Sequence, residues 1–415
     1  MYLPQLSDIQ KARQNIATVV AHTPLTKNLA LSEQFSANVM LKREDLQMVR
    51  SYKIRGAYNK ISSLTKAQLA NGVVCASAGN HAQGVAYSCH ALGIKGTIFM
   101  PTPTPNQKVK QVKMFGKDSV QIISAGDTFD DAYNEAKKYC DEHKSTFIHP
   151  FDDEKVIEGQ ATVGLDILND TDQPIDYLFV PIGGGGLAAG LGSLFKNLSP
   201  EAKIIGVEPS GAACMKAAID GDKIVTLNEI NTFADGVAVR RAGNLTFEIC
   251  KRVLDDIVVV PEGKICTTIL QLYNESAIVV EPAGAISISA LDFYKKEVRG
   301  KNVVCVVSGS NNDITRMEEI KERSLLYEGL KHYFIIRFPQ RAGALREFLE
   351  HVLGPNDDIT HFEYKKKHFK EKGPAVIGIE VHQKEDFKDL IARMKERNIV
   401  YEYLNGQQDL FQFLT

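Results

Sequence analysis

Short β-branched runs alternate with longer stretches of helical apolar spacing between Val73 and about Val307. The runs 72–75, 96–100, 119–123, 177–182, 203–207 and 302–307 predict strands. Between them, 81–92, 106–115 and 128–143 predict helices. The first of these is alanine-rich and stops at Gly93; Pro101, Pro103 and Pro105 punctuate the loop before the second. Such alternation predicts an α/β architecture, with parallel sheets covered by helices on both faces.

The pattern changes after Asp313. Residues 314–323 predict a charged helix leading out of the α/β part. A strand at 332–338, the turn Pro339-Gln340-Arg341-Ala342-Gly343 and a helix at 344–352 follow. Strands at 359–366 and 375–381, a helix at 384–397 and a strand at 400–404 complete the chain. The order β-α-β-β-α-β is that of a ferredoxin-like unit, and roughly 85 residues can form a small core of their own. The expected domains are 1–325, with a smaller lobe at about 51–145, and 326–415.

Composition narrows the partners. At 415 residues the chain holds about two or three domains. A net charge of -2 argues against a nucleic-acid partner, which favours a concentrated basic face. The basic run Lys365-Lys366-Lys367 reads as the solvated edge of a strand. Seven cysteines are scattered without C-x-x-C pairs, which suggests buried free thiols in a reducing compartment. No signal-peptide core precedes Gln14 and no apolar run is long enough to span a bilayer, so the cytoplasm is expected.

Three segments carry candidate chemistry. Ser51-Tyr52-Lys53-Ile54-Arg55-Gly56-Ala57 offers a lysine amine, which forms a Schiff base with an aldehyde cofactor. Like-charge repulsion from Arg50 and Arg55 is expected to lower its pKa. Ser77-Ala78-Gly79-Asn80-His81 lies between a strand and a helix, where capping alone explains Ser and Asn. The same turn aims unpaired N–H groups at an anion. Val180-Pro181-Ile182-Gly183-Gly184-Gly185-Gly186-Leu187 ends a strand in four glycines and suits a phosphate. Its rival reading is a dinucleotide fingerprint: Gly184-x-Gly186-x-x-Ala189, with Glu208 ending the next strand. Four successive glycines fit one phosphate better than a pyrophosphate, and nicotinamide binding leaves Lys53 and Asn80 without a role.

Taken together, the segments resemble the fold type II pyridoxal-phosphate enzymes and, among them, the threonine deaminases. The tail pattern Phe338-Pro339-x-Arg341-x-Gly343-Ala344-Leu345 resembles the ACT-like domain of biosynthetic members. The resemblance implies a two-lobed catalytic part with Lys53 as the catalytic, cofactor-bearing lysine. Tyr52 packs beside the cofactor at a place where phenylalanine is commoner. Asn80 binds the phenolic oxygen, Gly183, Gly184, Gly185, Gly186 and Leu187 hold the phosphate, and Ser308 of Val306-Val307-Ser308-Gly309-Ser310-Asn311 faces the pyridine nitrogen. Ser77, Gly79 and His81 surround the substrate carboxylate. Glu281, before Pro282-Ala283-Gly284, lies near the ring, although proline early in a helix explains much of that pattern. Some relatives bind a divalent cation near Glu208, but Cys214 stands where their second carboxylate would be, so no metal is expected.

The implied reaction converts L-threonine to 2-oxobutanoate and ammonia, with L-serine a weaker substrate. The tail implies regulation by isoleucine or valine, and the family a homotetramer or homodimer. A serine dehydratase or racemase shares the same motifs, though these commonly lack the tail. A nicotinamide-dependent dehydrogenase and a catalytically silent amino-acid sensor are the remaining readings.

Overall fold

The structure, a computed structural model, describes residues 2–364 and 372–406. The chain forms two compact units, Met1–Asp313 and Ile314–Thr415. This division falls before the expected 325/326 because the helix Met317–Glu328 belongs to the tail unit. Lys331 and Tyr333, on the first tail strand, bond Glu322 on that helix.

The first unit contains two sheets. The larger runs in the order Leu25–Lys27, Asn38–Arg43, Asn302–Val307, Tyr177–Pro181, Lys203–Pro209, Asp256–Val260. Only its first pair is antiparallel. The smaller sheet, wholly parallel, runs Val120–Ser124, Gly96–Met100, Val73–Ala76, Thr146–Phe147. The central strands are buried at nearly every position, as expected of parallel sheets covered on both faces. Four strands escaped the hydrophobic pattern: Leu25–Lys27, Asn38–Arg43, Thr146–Phe147 and Asp256–Val260.

Helix Glu154–Asn169 connects the parts that matter for function. On one side it meets helix Lys53–Ser62, where a Cβ on Gly159 would lie 2.5 Å from the Arg55 carbonyl oxygen. On the other it meets helix Gly186–Leu198, where a Cβ on Gly190 would lie 2.8 Å from the Ile157 carbonyl oxygen. Glycine therefore lets both helices seat backbone to backbone against the same partner.

The second unit is one antiparallel sheet in the order Asp358–Tyr364, Lys372–Glu380, Lys331–Pro339, Tyr401–Tyr403, with helices Ala344–His351 and Asp386–Glu396. This is the ferredoxin-like order. Its core gathers Phe334, Ile336, Phe348, Ile377, Leu390 and Met394. The basic run 365–367 lies outside the described residues. Among the described residues, no helix is long and apolar enough to cross a membrane. All seven cysteines are buried free thiols.

Candidate active site

Lys53 opens the helix Lys53–Ser62 and is partly buried. Its Nζ donates to the Pro150 carbonyl at 3.0 Å and stands 5.3 Å from the Tyr52 ring centroid. Desolvation lowers the amine from its ordinary value to about 8, and Glu281 opposes that shift. The two arginines do not cause it. Arg55 is two residues further along a helix, so it faces another direction. It is fully buried, forked onto Glu44 at 2.8 Å for each nitrogen and bonded to Asp166 at 2.7 Å. Arg50 is exposed. Burial replaces the expected repulsion.

The turn before helix Asn80–Leu92 lies against the lysine. A Cβ on Gly84 would sit 3.2 Å from the Lys53 carbonyl, a tight approach that glycine relieves. Gly79 has open space around its missing Cβ. The Ser77 hydroxyl oxygen accepts from the Gly79 N–H at 3.2 Å, which shapes the turn. His81 differs from expectation: its ring is buried and bonded to the Ile148 carbonyl at 2.9 Å. Burial, with Lys53 nearby, pushes it down to about 3, so the ring is neutral and its Nε2–H donates inward. Only the main chain of His81 faces the turn's role of binding an anion.

The glycine segment sits at the carboxyl end of the central strand Tyr177–Pro181, where ligands bind in open parallel sheets. Its back is packed. A Cβ on Gly184 would come within 2.3 Å of the Phe151 ring, and one on Gly186 within 2.5 Å of Gln160 Oε1. Gly185 has φ +94°, and a Cβ there would meet Met215 and Thr246. The carbonyls point inward too: Gly184 accepts from Thr246 Oγ1 at 2.6 Å, while the Cys214 and Cys250 thiols donate to Gly183 and Gly185 at 3.8 and 3.6 Å. With the carbonyls taken, the N–H groups of 183–187 have no protein acceptor among the described residues. A row of inward carbonyls and unpaired amides at a helix N-terminus fits a phosphate. Glu208 does not complete a dinucleotide site, because its carboxylate accepts from Met215 and Lys216 N–H at 2.8 and 2.7 Å.

The turn after strand Asn302–Val307 closes the site. Tyr52 N–H donates to the Ser308 carbonyl at 3.1 Å, and Ser308 Oγ donates to the Ala283 carbonyl at 2.8 Å. Glu281 lies beside Gly309: a Cβ there would be 2.2 Å from Glu281 Oε1. Burial raises Glu281 to about 7, with Asp235 adding to the effect and a hydrogen bond from Asn80 opposing it. Asn80 Nδ2 donates to Glu281 at 2.6 Å, and Asn311 Nδ2 donates to Asn80 Oδ1. Asn80 and the Ser308 turn are thus joined through Glu281 and Asn311. Asn311 follows Ser308 by three residues, and the sequence alone assigns it no role.

Two ion pairs cross from the smaller sheet's helices to the 222–243 excursion. Lys108 on helix Asn106–Gly116 meets Asp235, and Asp130 on helix Phe129–His143 meets Arg240 at 3.4 Å. Val237 of that excursion packs on Gly183. No cluster of three or more metal-ligating side chains occurs among the described residues.

Residues 16–309 match the model of the pyridoxal-phosphate-dependent enzyme family, and residues 322–414 match that of the C-terminal regulatory domain of threonine dehydratase. A biosynthetic L-threonine dehydratase, IlvA, of Halalkalibacterium halodurans is 60% identical over 410 residues, covering 99% of each chain. Among solved structures, the processed form of threonine deaminase isoform 2 from Solanum lycopersicum shares 37% identity. It has a TM-score of 0.73 and covers 78% of this chain and 90% of its own. Maize serine racemase shares 31%, with a TM-score of 0.72, over 79% of this chain and 99% of its own.

Proposed function

The chain belongs to the pyridoxal-phosphate-dependent enzyme family, with the C-terminal regulatory domain of threonine dehydratase following in sequence, and on that premise we propose how its residues divide the work. The reaction is the dehydrative deamination of L-threonine to 2-oxobutanoate and ammonia, the entry to isoleucine biosynthesis, with pyridoxal phosphate as cofactor.

When bound, the cofactor supplies an aldehyde carbon that takes an amine and a ring that accepts the electrons left on Cα. Lys53 would hold the cofactor through that carbon, and its amine, when free, would take the substrate's Cα proton. An amine held near 8 is in part free base at neutral pH, which suits that task. The N–H groups of Gly183, Gly184, Gly185, Gly186 and Leu187 hold the phosphate, and Tyr52 packs beside the ring. Asn80 donates to the phenolic oxygen. With the cofactor bound, the Ser308 hydroxyl would turn from the Ala283 carbonyl to donate to the ring nitrogen, a neutral partner that would not hold the ring protonated. Expulsion of the β-hydroxyl is then favoured over reprotonation. Ser77, Gly79 and the main chain of His81 hold the carboxylate at the N-terminus of helix Asn80–Leu92.

The observation that carries this assignment is the pairing of a desolvated Lys53 with the unpaired amides of the glycine segment, both docked on helix Glu154–Asn169. L-Serine is a weaker substrate, since a lost methyl contact is worth about 1–3 kcal/mol. The tail binds isoleucine as inhibitor and valine as its opponent, through different affinities for two states of the enzyme. The assembly is a homotetramer or homodimer in the cytoplasm. The test is 2-oxo acid production from L-threonine by purified protein with pyridoxal phosphate, with and without isoleucine. Isoleucine-suppressed 2-oxobutanoate supports the whole reading. Unsuppressed product removes the tail's role, and turnover of serine alone moves the chain to the serine dehydratases.

A further inference from the structure

A carboxamide can face a ligand with its N–H or with its oxygen, and the two choices have opposite chemistry. Around Asn80 the structure leaves one choice. Asn311 Nδ2 donates to the Val49 carbonyl at 3.1 Å and to Asn80 Oδ1 at 2.5 Å. Both of its protons are therefore engaged, and its own amide cannot reverse without losing two acceptors. Asn311 Oδ1 is buried with no partner, so the amide is held through its nitrogen alone. On the far side, Asn80 Nδ2 gives one proton to Glu281 Oε1 at 2.6 Å. Reversing Asn80 would set nitrogen against nitrogen and oxygen against carboxylate. The Asn311 main-chain N–H also favours the ionised Glu281 carboxylate, drawing the third side of the triangle. Gly309 makes room for that carboxylate, since a Cβ there would overlap it.

We propose that Asn311 is a positioning residue: anchored on Val49, it fixes the Asn80 amide so that the second Nδ2 proton is presented to an anionic ring oxygen. This rests on the cofactor reading above. Without the clamp, only the Glu281 contact opposes reversal of the Asn80 amide, and orientations that offer its carbonyl oxygen to the ring gain population. A carbonyl there favours the protonated phenol over the ionised one.

The test uses the full chain loaded with pyridoxal phosphate and compares wild type with Asn311→Asp, Asn311→Ala and Asn311→Ser. Asn311→Asp keeps the shape but, when ionised, replaces the donor by acceptors. Absorbance spectra should lose intensity at the long-wavelength band of the ionised phenol and gain it at the shorter one. Cofactor affinity, from fluorescence titration, should fall about tenfold, the order expected for one lost hydrogen bond to a charged group. Asn311→Ser retains a donor and should recover part of the long-wavelength band, whereas Asn311→Ala should not. A residue that only supported the fold would lower the melting temperature and leave the spectrum of the bound cofactor unchanged; that result overturns the clamp. If Asn311→Ala does not fold, the Asp and Ser spectra decide. A wild type that takes up no pyridoxal phosphate overturns the cofactor reading itself, a different failure.

Discussion

The N–H of Tyr52 donates to the carbonyl of Ser308 at 3.1 Å, tying the residue before Lys53 to the turn proposed to face the cofactor ring. Ser51 and Gly309 extend the contact as an antiparallel bridge. Lysine and serine are thus positioned by main chain rather than by flexible side chains, which is what a reaction at a fixed aldehyde carbon requires.

Lys53→Ala should abolish 2-oxobutanoate formation while circular dichroism stays native. In the wild-type apoprotein the free amine is the reactive form. With a value of about 8, the amine is about one-tenth free base at pH 7. The rate of cofactor uptake should therefore rise about tenfold per pH unit up to about 8, and flatten beyond. An uptake rate still climbing steeply past pH 9.5 would show an ordinary, solvated lysine.

Arg55→Met should destabilise the fold by about 3–5 kcal/mol in urea denaturation, because Glu44 is left as a buried charge without its cation and Asp166 is left with Arg13 and Lys42. The pH at which cofactor uptake levels off should not move, since burial and not Arg55 sets the Lys53 amine.

Gly184→Ala forces a methyl against the Phe151 ring. Overpacking of this kind costs about 1–3 kcal/mol. Displacing the loop should also weaken pyridoxal-phosphate affinity by about tenfold or more, measured by titration of the apoprotein.

Lys108→Glu should raise the KM for L-threonine by about two- to fivefold, since an exposed pair contributes up to about 1 kcal/mol. The double variant Lys108→Glu/Asp235→Lys restores opposite charges and should return KM toward wild type. Both effects should shrink at high salt, as screening predicts. A double variant no better than the single one would show that the pair does not hold the lobes together.

Burial raises Glu208 to about 7, above its unfolded value. The stability this contributes is full below the unfolded value near 4.5 and is lost as pH rises through about 7. Glu208→Gln cannot ionise, so its stability relative to wild type should climb across that window by up to about 3 kcal/mol. Thermal melts at pH 4.5 and 7.5 measure the difference.

Much of this architecture is legible in the residues, for a physical reason. Strands 96–100 and 302–307 each carry one polar residue, Thr97 and Asn302, and these are the positions left partly exposed, so burial and pattern agree. Asn38–Arg43 hides because it ends in charge: Lys42 is fully buried, its amine spent on the Thr23 carbonyl and on Asp170. Asp256–Val260 hides because only Leu254 and Asp255 separate it from helix Asn244–Val253, blurring two periods into one. In the site, the motif residues that carry chemistry stand out, whereas their supports do not. Nothing in the sequence links Asn80 to Glu281 and Asn311, or turns the His81 ring inward toward Ile148, because these contacts depend on how distant segments pack.

The glycine-seated helices on Glu154–Asn169 act as a caliper. One jaw carries the lysine amine and the other the phosphate amides, and the gap between them is set where Gly159 and Gly190 let backbones touch. On the proposed assignment, the enzyme would measure its cofactor by length, from aldehyde carbon to phosphorus, before reading any atom of the ring. An aldehyde of the same ring without the phosphate would reach Lys53 and not be kept, and a homologue with a longer phosphate arm could not seat in both jaws at once.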